Sequence, residues 1–146
     1  MKSDKQYYII SMRYENFHQI RDDGFSMIGF PKSSLMAKKL KIGDLLVLYI
    51  GSRKSQLAAI LEVNSEMIWE NDLRWDDFYP IRYKTKPIIV LNPNNYLDMR
   101  KIKNGLSFIN PEIVKFGVYF MSGIKRISYE DYKYLHNLFL KAKGKA

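Results

Sequence analysis

Six consecutive apolar residues, Leu45 to Ile50 (Leu-Leu-Val-Leu-Tyr-Ile), are closed on both sides by turn residues and set the frame for the rest of the chain. Ile42-Gly43-Asp44 stands before them. Glycine takes positive φ at no steric cost and aspartate bonds nearby backbone, so this pair marks a tight turn feeding a central strand. Gly51 to Ser55 follows as a hairpin connection, and Gln56 to Val63 reads as the next strand. No longer apolar run occurs. A membrane-spanning helix needs roughly 20 such residues, so no membrane partner is expected.

The flanking segments carry weaker versions of the same signals. Tyr7 to Met12 reads as a first, largely buried strand. Tyr14 to Asp23 reads as a short helix with Phe17 and Ile20 on one face and Gly24 as its stop. Phe25 to Pro31 is a loop or short strand, and Ser33 and Ser34 cap a helical turn through Ala37 to Leu40. Glu66 to Asp77 has no clean period and is expected as an irregular excursion from the sheet. Phe78 to Lys86 alternates as a strand, continued by Ile88 to Leu91 beyond a bulge at Pro87. Leu97 to Ile102 reads as a helical turn, and Phe116 to Met121 as a last strand. Ser128, with Asp131 three residues on, starts a final helix whose apolar stripe is Tyr132, Leu135, Leu138 and Phe139. At 146 residues this is one α+β domain, a small curved or barrel-like mixed sheet with helices at its edges and C-terminal end.

Charge divides the chain unevenly. Glu62 to Asp77 holds six acids against Arg74 alone, a local net of −5 within a chain of +9, so the remainder carries +14. Lys141, Lys143 and Lys145 belong to a tail expected to fray from about residue 141 to 146. Such a division suits a basic face for a polyanion beside an acidic loop, or equally a protein whose lysines are spread over its surface. The polar start, Met1 to Gln6, shows no signal-peptide pattern, and with no cysteine in the chain a cytoplasmic location is expected.

Catalytic patterns are absent from the sequence. It has no nucleophile elbow, no phosphate loop and no dinucleotide fingerprint, and zero cysteines remove thiolate chemistry. His18 and His136 fall on helices with no ligand-spaced partner and read as surface or packing residues, so neither a metal nor a cofactor is expected. Aromatic residues make up 14% of the chain and many adjoin a cation, as in Arg13-Tyr14, Arg82-Tyr83-Lys84 and Lys115-Phe116. Rings stack on unpaired bases while cations hold phosphates, although the same interleaving arises when rings fill the core and cations face water. Trp69 and Trp75 sit in the acidic stretch, either as base-stacking surfaces or as anchors of the excursion.

Several segments, in order, resemble the EVE domain family, relatives of the YTH readers in the PUA-like superfamily. Tyr7 to Ser11 is similar to its opening strand, and Ile28-Gly29-Phe30-Pro31-Lys32 to its Trp-Gly-Val-Pro-Lys loop. Leu40 to Asp44 with Leu46 to Tyr49 resembles its Leu-Lys-x-Gly-Asp turn and following strand. Ala59 to Val63, Tyr79 to Tyr83 and Gly123 to Tyr132 complete the series. The resemblance implies a PUA-like barrel that holds a nucleobase, modified or not, of single-stranded or flipped RNA or DNA. Ser11, Ile28, Phe30, Trp69, Trp75, Tyr79 and Phe116 are the expected base-site residues. Lys32, Lys38, Lys39, Lys125 and Arg126 are expected to hold phosphates. Ile28 stands where the family carries tryptophan, Ala59 where it carries glycine, and the Gly-x-Lys-x-x-Glu-x-Arg motif of the related ASCH domains is missing. The alternatives are a small hydrolase or nuclease using carboxylates of residues 62–77, Asp76 and Asp77 among them, with a divalent cation, or a protein-interaction domain.

Overall fold

The computed structural model describes residues 5–51, 54–72, 79–109 and 123–144. Among them the chain forms β1 (Tyr7–Met12), α1 (Tyr14–Asp22), β2 (Met27–Phe30), β3 (Leu45–Ile50), β4 (Gln56–Val63), β5 (Ile68–Trp69) and β6 (Ile81–Val90). β7 (Leu97–Asp98), α2 (Met99–Ile102), β8 (Ile124–Ile127) and α3 (Tyr129–Lys143) follow. The strands form one mixed sheet in the order β2-β6-β4-β3-β1-β8, with β5 added to β6 and β7 to β4. β1 and β3 run parallel, a pairing that needs a crossover, and α1 lies in that connection.

β3 lies at the centre because both its faces are apolar. All six of its residues are buried. Leu46, Leu48 and Ile50 join one core with Tyr8, Ile10, Phe17 and Ile28. Leu45, Val47 and Tyr49 join a second with Ile9, Leu135 and Phe139, which α3 closes. Burying each such side chain stabilises by roughly 1.5–3 kcal/mol. The Gly-Asp turn takes the expected form and does more than turn the chain. Gly43 has φ 98°, a conformation that side chains disfavour. The buried Asp44 carboxylate accepts from the amides of Gln6 and Lys41, each at 2.9 Å, so one side chain ties the starts of β1 and β3.

Several expectations are corrected. The stretch after Glu66 is not wholly irregular: Ile68 and Trp69 pair with Arg82 and Ile81. Leu97 and Asp98 extend the sheet against Leu57 and Gln56, so the helical turn begins only at Met99. Sheet pairing won there over a segment too short to be helical by itself. β6 starts at Ile81, and its register against β4 shifts between Ile60 and Leu61, which admits the residue beside Pro87. β8 was missed because Lys125 and Arg126 interrupt its apolar pattern; the strand expected at Phe116 to Met121 lies outside the described residues. Finally, α3 continues through Lys143, so Lys141 and Lys143 belong to its last turn rather than to a frayed tail.

Candidate functional site

A cleft of about 160 Å³ opens beside the last residues of β1. Ile10, Ser11 and Met12 form one wall, Asn16 and Ile20 of α1 a second, and Gly29, Phe30 and Pro31 a third, with Tyr79 and Gly123 at the margins. The backbone is pinned on two sides: the Ser11 amide donates to the Gly123 carbonyl at 2.8 Å, and the Gly51 amide to the Met12 carbonyl at 2.9 Å. Gly123 has φ 82°, and this left-handed turn brings its carbonyl to β1.

Asn16 supplies the central polar group. It is only 3% exposed and shares the buried face of α1 with Phe17 and Ile20. Burying an amide is costly without hydrogen bonds. Its Nδ2 donates to the Tyr79 hydroxyl at 3.3 Å, across 63 residues of chain. Sequence reading took Phe17 and Ile20 as the buried face of this helix and passed over Asn16. The available signal was spacing: Asn16 and Ile20 are one turn apart and share that face.

The described residues lining the cleft carry no charged side chain. Its polar lining residues are Ser11, Asn16 and Tyr79, together with main-chain atoms. At about 160 Å³ the cleft falls below the roughly 300–1,000 Å³ of pockets for drug-sized ligands. This chemistry suits a neutral, flat, hydrogen-bonding ring, and it gives an anion no counter-charge inside.

Of the expected base-site residues, Ser11, Phe30 and Tyr79 come together here. Ile28 does not line the cleft; it is fully buried opposite Tyr83 in the β2–β6 pairing, and its side chain belongs to the core. Trp69 is 45% exposed and its indole nitrogen donates to Asn71 Oδ1 at 2.9 Å, so it is no buried anchor, and it is not in the cleft wall. Trp75 and Phe116 lie outside the described residues.

The expected phosphate-binding residues are scattered. Lys32 is exposed directly after Pro31, at the rim. Lys38 and Lys39 occupy a 3₁₀ turn that leads into the Asp44 turn, beside the start of β1 rather than its end. Lys125 covers the Phe108 ring, its Nζ 4.8 Å from the centroid, and Arg126 lines a separate open groove with Tyr7 and Tyr129. Two cations outside that expected set stand beside the segment that follows the cleft's β1 wall. Arg13 is exposed after Met12, and Lys54 Nζ lies 4.9 Å over the Tyr14 ring.

The described acids of residues 62–77 are largely committed to cations. Glu62 pairs with Lys86 at 3.3 Å, and Glu70 and Asp72 both meet Arg82. Asp76 and Asp77 lie outside the described residues. Among the described residues no cluster of three or more metal-ligating side chains occurs. His18 pairs with Asp22 at 2.9 Å and stacks on Tyr14, while His136 packs near Tyr132. No described helix is long and apolar enough to cross a membrane.

No protein-family profile matches this chain, and no curated protein sequence matches it. Solved structures do. The Mmi1 YTH domain aligns with a TM-score of 0.69 at 13% identity, over 97% of this chain and 79% of that one. The YTH domain of the Zygosaccharomyces rouxii MRB1 protein, solved in complex with N6-methyladenosine RNA, aligns at 0.63 and 15%, over 95% and 89%. A hypothetical protein from Leishmania major aligns at 0.64 and 12%, over 94% and 96%. At these identities the likeness establishes the fold: a YTH-related small mixed barrel with flanking helices and a C-terminal helix.

Proposed function

We propose that this chain is a nucleic-acid-binding module of the EVE type that seats one nucleobase, single-stranded or extruded, in the cleft at the end of β1. The observation that carries this reading is the cleft itself: small, concave, uncharged inside, and furnished with Ser11, Asn16 and Tyr79 as hydrogen-bonding groups. A flipped or unpaired base is read by hydrogen bonds to its edge and by contact with apolar or aromatic faces. Phe30 and Pro31 supply such faces. The likeness of fold to a domain solved with N6-methyladenosine RNA supports the same reading and favours a modified base in RNA. Lys32, Arg13 and Lys54 at the rim hold the backbone, while Lys38, Lys39, Lys125 and Arg126 contribute only to the general positive field. The engagement of Glu62, Glu70 and Asp72 with cations supports a binding module over a hydrolase.

The test is titration of labelled single-stranded RNA and DNA at several salt concentrations, with mass spectrometry of nucleosides that co-purify. Affinity is expected to fall steeply with salt, and Lys32→Ala is expected to reduce the salt slope by about 1, as loss of one phosphate contact does. Asn16→Leu is expected to abolish preference among bases. Absence of binding to any oligonucleotide at low salt overturns the proposal.

A further inference from the structure

We infer that Arg82 is a positioning residue for the cleft, joining the two chain segments on either side of residues 73–78 so that Tyr79 is presented to the bound base. Its side chain is fully buried. Nε donates to the Tyr79 carbonyl at 3.0 Å, and Nη2 to the Asp72 carbonyl at 2.6 Å. Nη1 donates to Glu70 Oε1 at 3.1 Å and to Asp72 Oδ1. The carboxylates themselves are substantially exposed, so the arginine lies beneath acids that face water.

A buried charge is an expensive way to fill space, and a well-packed apolar side chain often stabilises as much or more. What an apolar residue cannot do is bind several acceptors in fixed directions, which the planar fork does. Here the acceptors belong to residues 70 and 72 on one segment and 79 on the next, brought together by one guanidinium. The pairing of β5 with β6 and the Glu70 amide bond to Pro80 at 3.0 Å hold the same junction from the backbone side. Tyr79 is therefore held at both ends, its carbonyl by Arg82 and its hydroxyl by Asn16 inside the cleft. Binding sites lose affinity when such groups drift by fractions of an ångström, so the fork acts on the base through Tyr79. This inference rests on the cleft being the base site.

The experiment compares Arg82→Lys with wild type and with Leu135→Val, a core change under α3 on the opposite face of the sheet. Lysine keeps the charge but lacks the fork. Two quantities are read: affinity for a fluorescein-labelled single-stranded RNA of mixed sequence, and the NMR resonances of the Asn16 side-chain amide. Arg82→Lys is expected to weaken RNA binding tenfold or more and to shift the Asn16 amide, with the β1 and β3 backbone resonances unchanged. Leu135→Val is expected to leave both quantities unchanged. Wild-type affinity in Arg82→Lys, an unmoved Asn16 amide, or equal losses in Leu135→Val overturn the inference. Should Arg82→Lys fail to fold, Glu70→Gln with Asp72→Asn weakens the same fork from its exposed side and must produce the same two changes. If wild type binds no RNA, the base-site reading fails by itself, and the Asn16 amide still decides whether Arg82 sets the cleft.

Discussion

The Asp131 carboxylate accepts two hydrogen bonds from Ser107, from its amide at 2.9 Å and from its hydroxyl at 2.7 Å. The Asp131 amide in turn donates to Ser128 Oγ at 3.1 Å, so the cap of α3 forms from one side only. The side chain that would return the bond in a capping box reaches across to the segment after α2 instead, docking it on the helix start. Asp131 is 4% exposed and stands in the first turn, where the helix dipole also favours its charge.

Asp131→Ala should therefore destabilise the protein by about 1.5–3 kcal/mol, the usual range for hydrogen bonds to a charged group. Ser107→Ala removes only the hydroxyl contact and should cost about 1 kcal/mol. Urea denaturation of both single variants and the double variant checks this. The double should lose less than the two singles combined, because both remove the same interaction.

Trp69→Ala should leave the fold almost untouched. The ring is 45% exposed and its hydrogen bond to Asn71 is local. A loss under about 1 kcal/mol is expected, against roughly 3–5 for a buried tryptophan. Because Trp69 stands outside the cleft wall, its loss should cost oligonucleotide binding less than the roughly 1–3 kcal/mol of a stacked base. Thermal melts paired with titrations read both, and a tenfold loss of affinity at unchanged melting temperature would put Trp69 in the base site.

Alkaline pH should weaken the fold through Tyr132. Burial pushes its phenol up to about 12, helped by the neighbouring Tyr7, Tyr129 and Glu62. Below about pH 10 the phenol is protonated in both folded and unfolded chains, so it adds no pH dependence. Above that, the unfolded chain loses its proton first, and stability falls as pH rises from about 10 toward 12. Tyr8, Tyr49 and Tyr83 are raised in the same direction by burial, so the decline is shared. Urea midpoints measured through this range should fall less steeply in Tyr132→Phe than in wild type, and parallel slopes would disprove the assignment.

Much of the sheet was legible because its signals are local. β1, β3 and β4 stand at the expected bounds, each a largely apolar stretch and the last two closed by turn residues, and Ser128 starts α3 as its type and spacing imply. The Gly43-Asp44 turn was legible for the same reason: positive φ and a carboxylate bonding an amide three residues back are properties of those two residues. Segments whose state depends on a distant partner were not legible. Ile68 and Trp69 become a strand only because β6 offers its edge, and Leu97 and Asp98 only because β4 does.

The candidate site divides along the same line. Residue types and spacing determined that the chain has a buried strand behind a Gly-Asp turn, a first strand ending at Met12, and a Phe30-Pro31 segment after it. Tertiary structure alone decided which of these face one cleft. It sent Ile28 into the core, placed Lys38, Lys39, Lys125 and Arg126 away from the cleft, and brought Asn16 to Tyr79. It also buried Arg82 among acceptors on residues 70, 72 and 79. The reason is physical. Periodicity and turn chemistry act over a few residues and leave their mark on neighbouring letters. Whether a polar or charged side chain is buried with partners depends on what the rest of the folded chain lays against it.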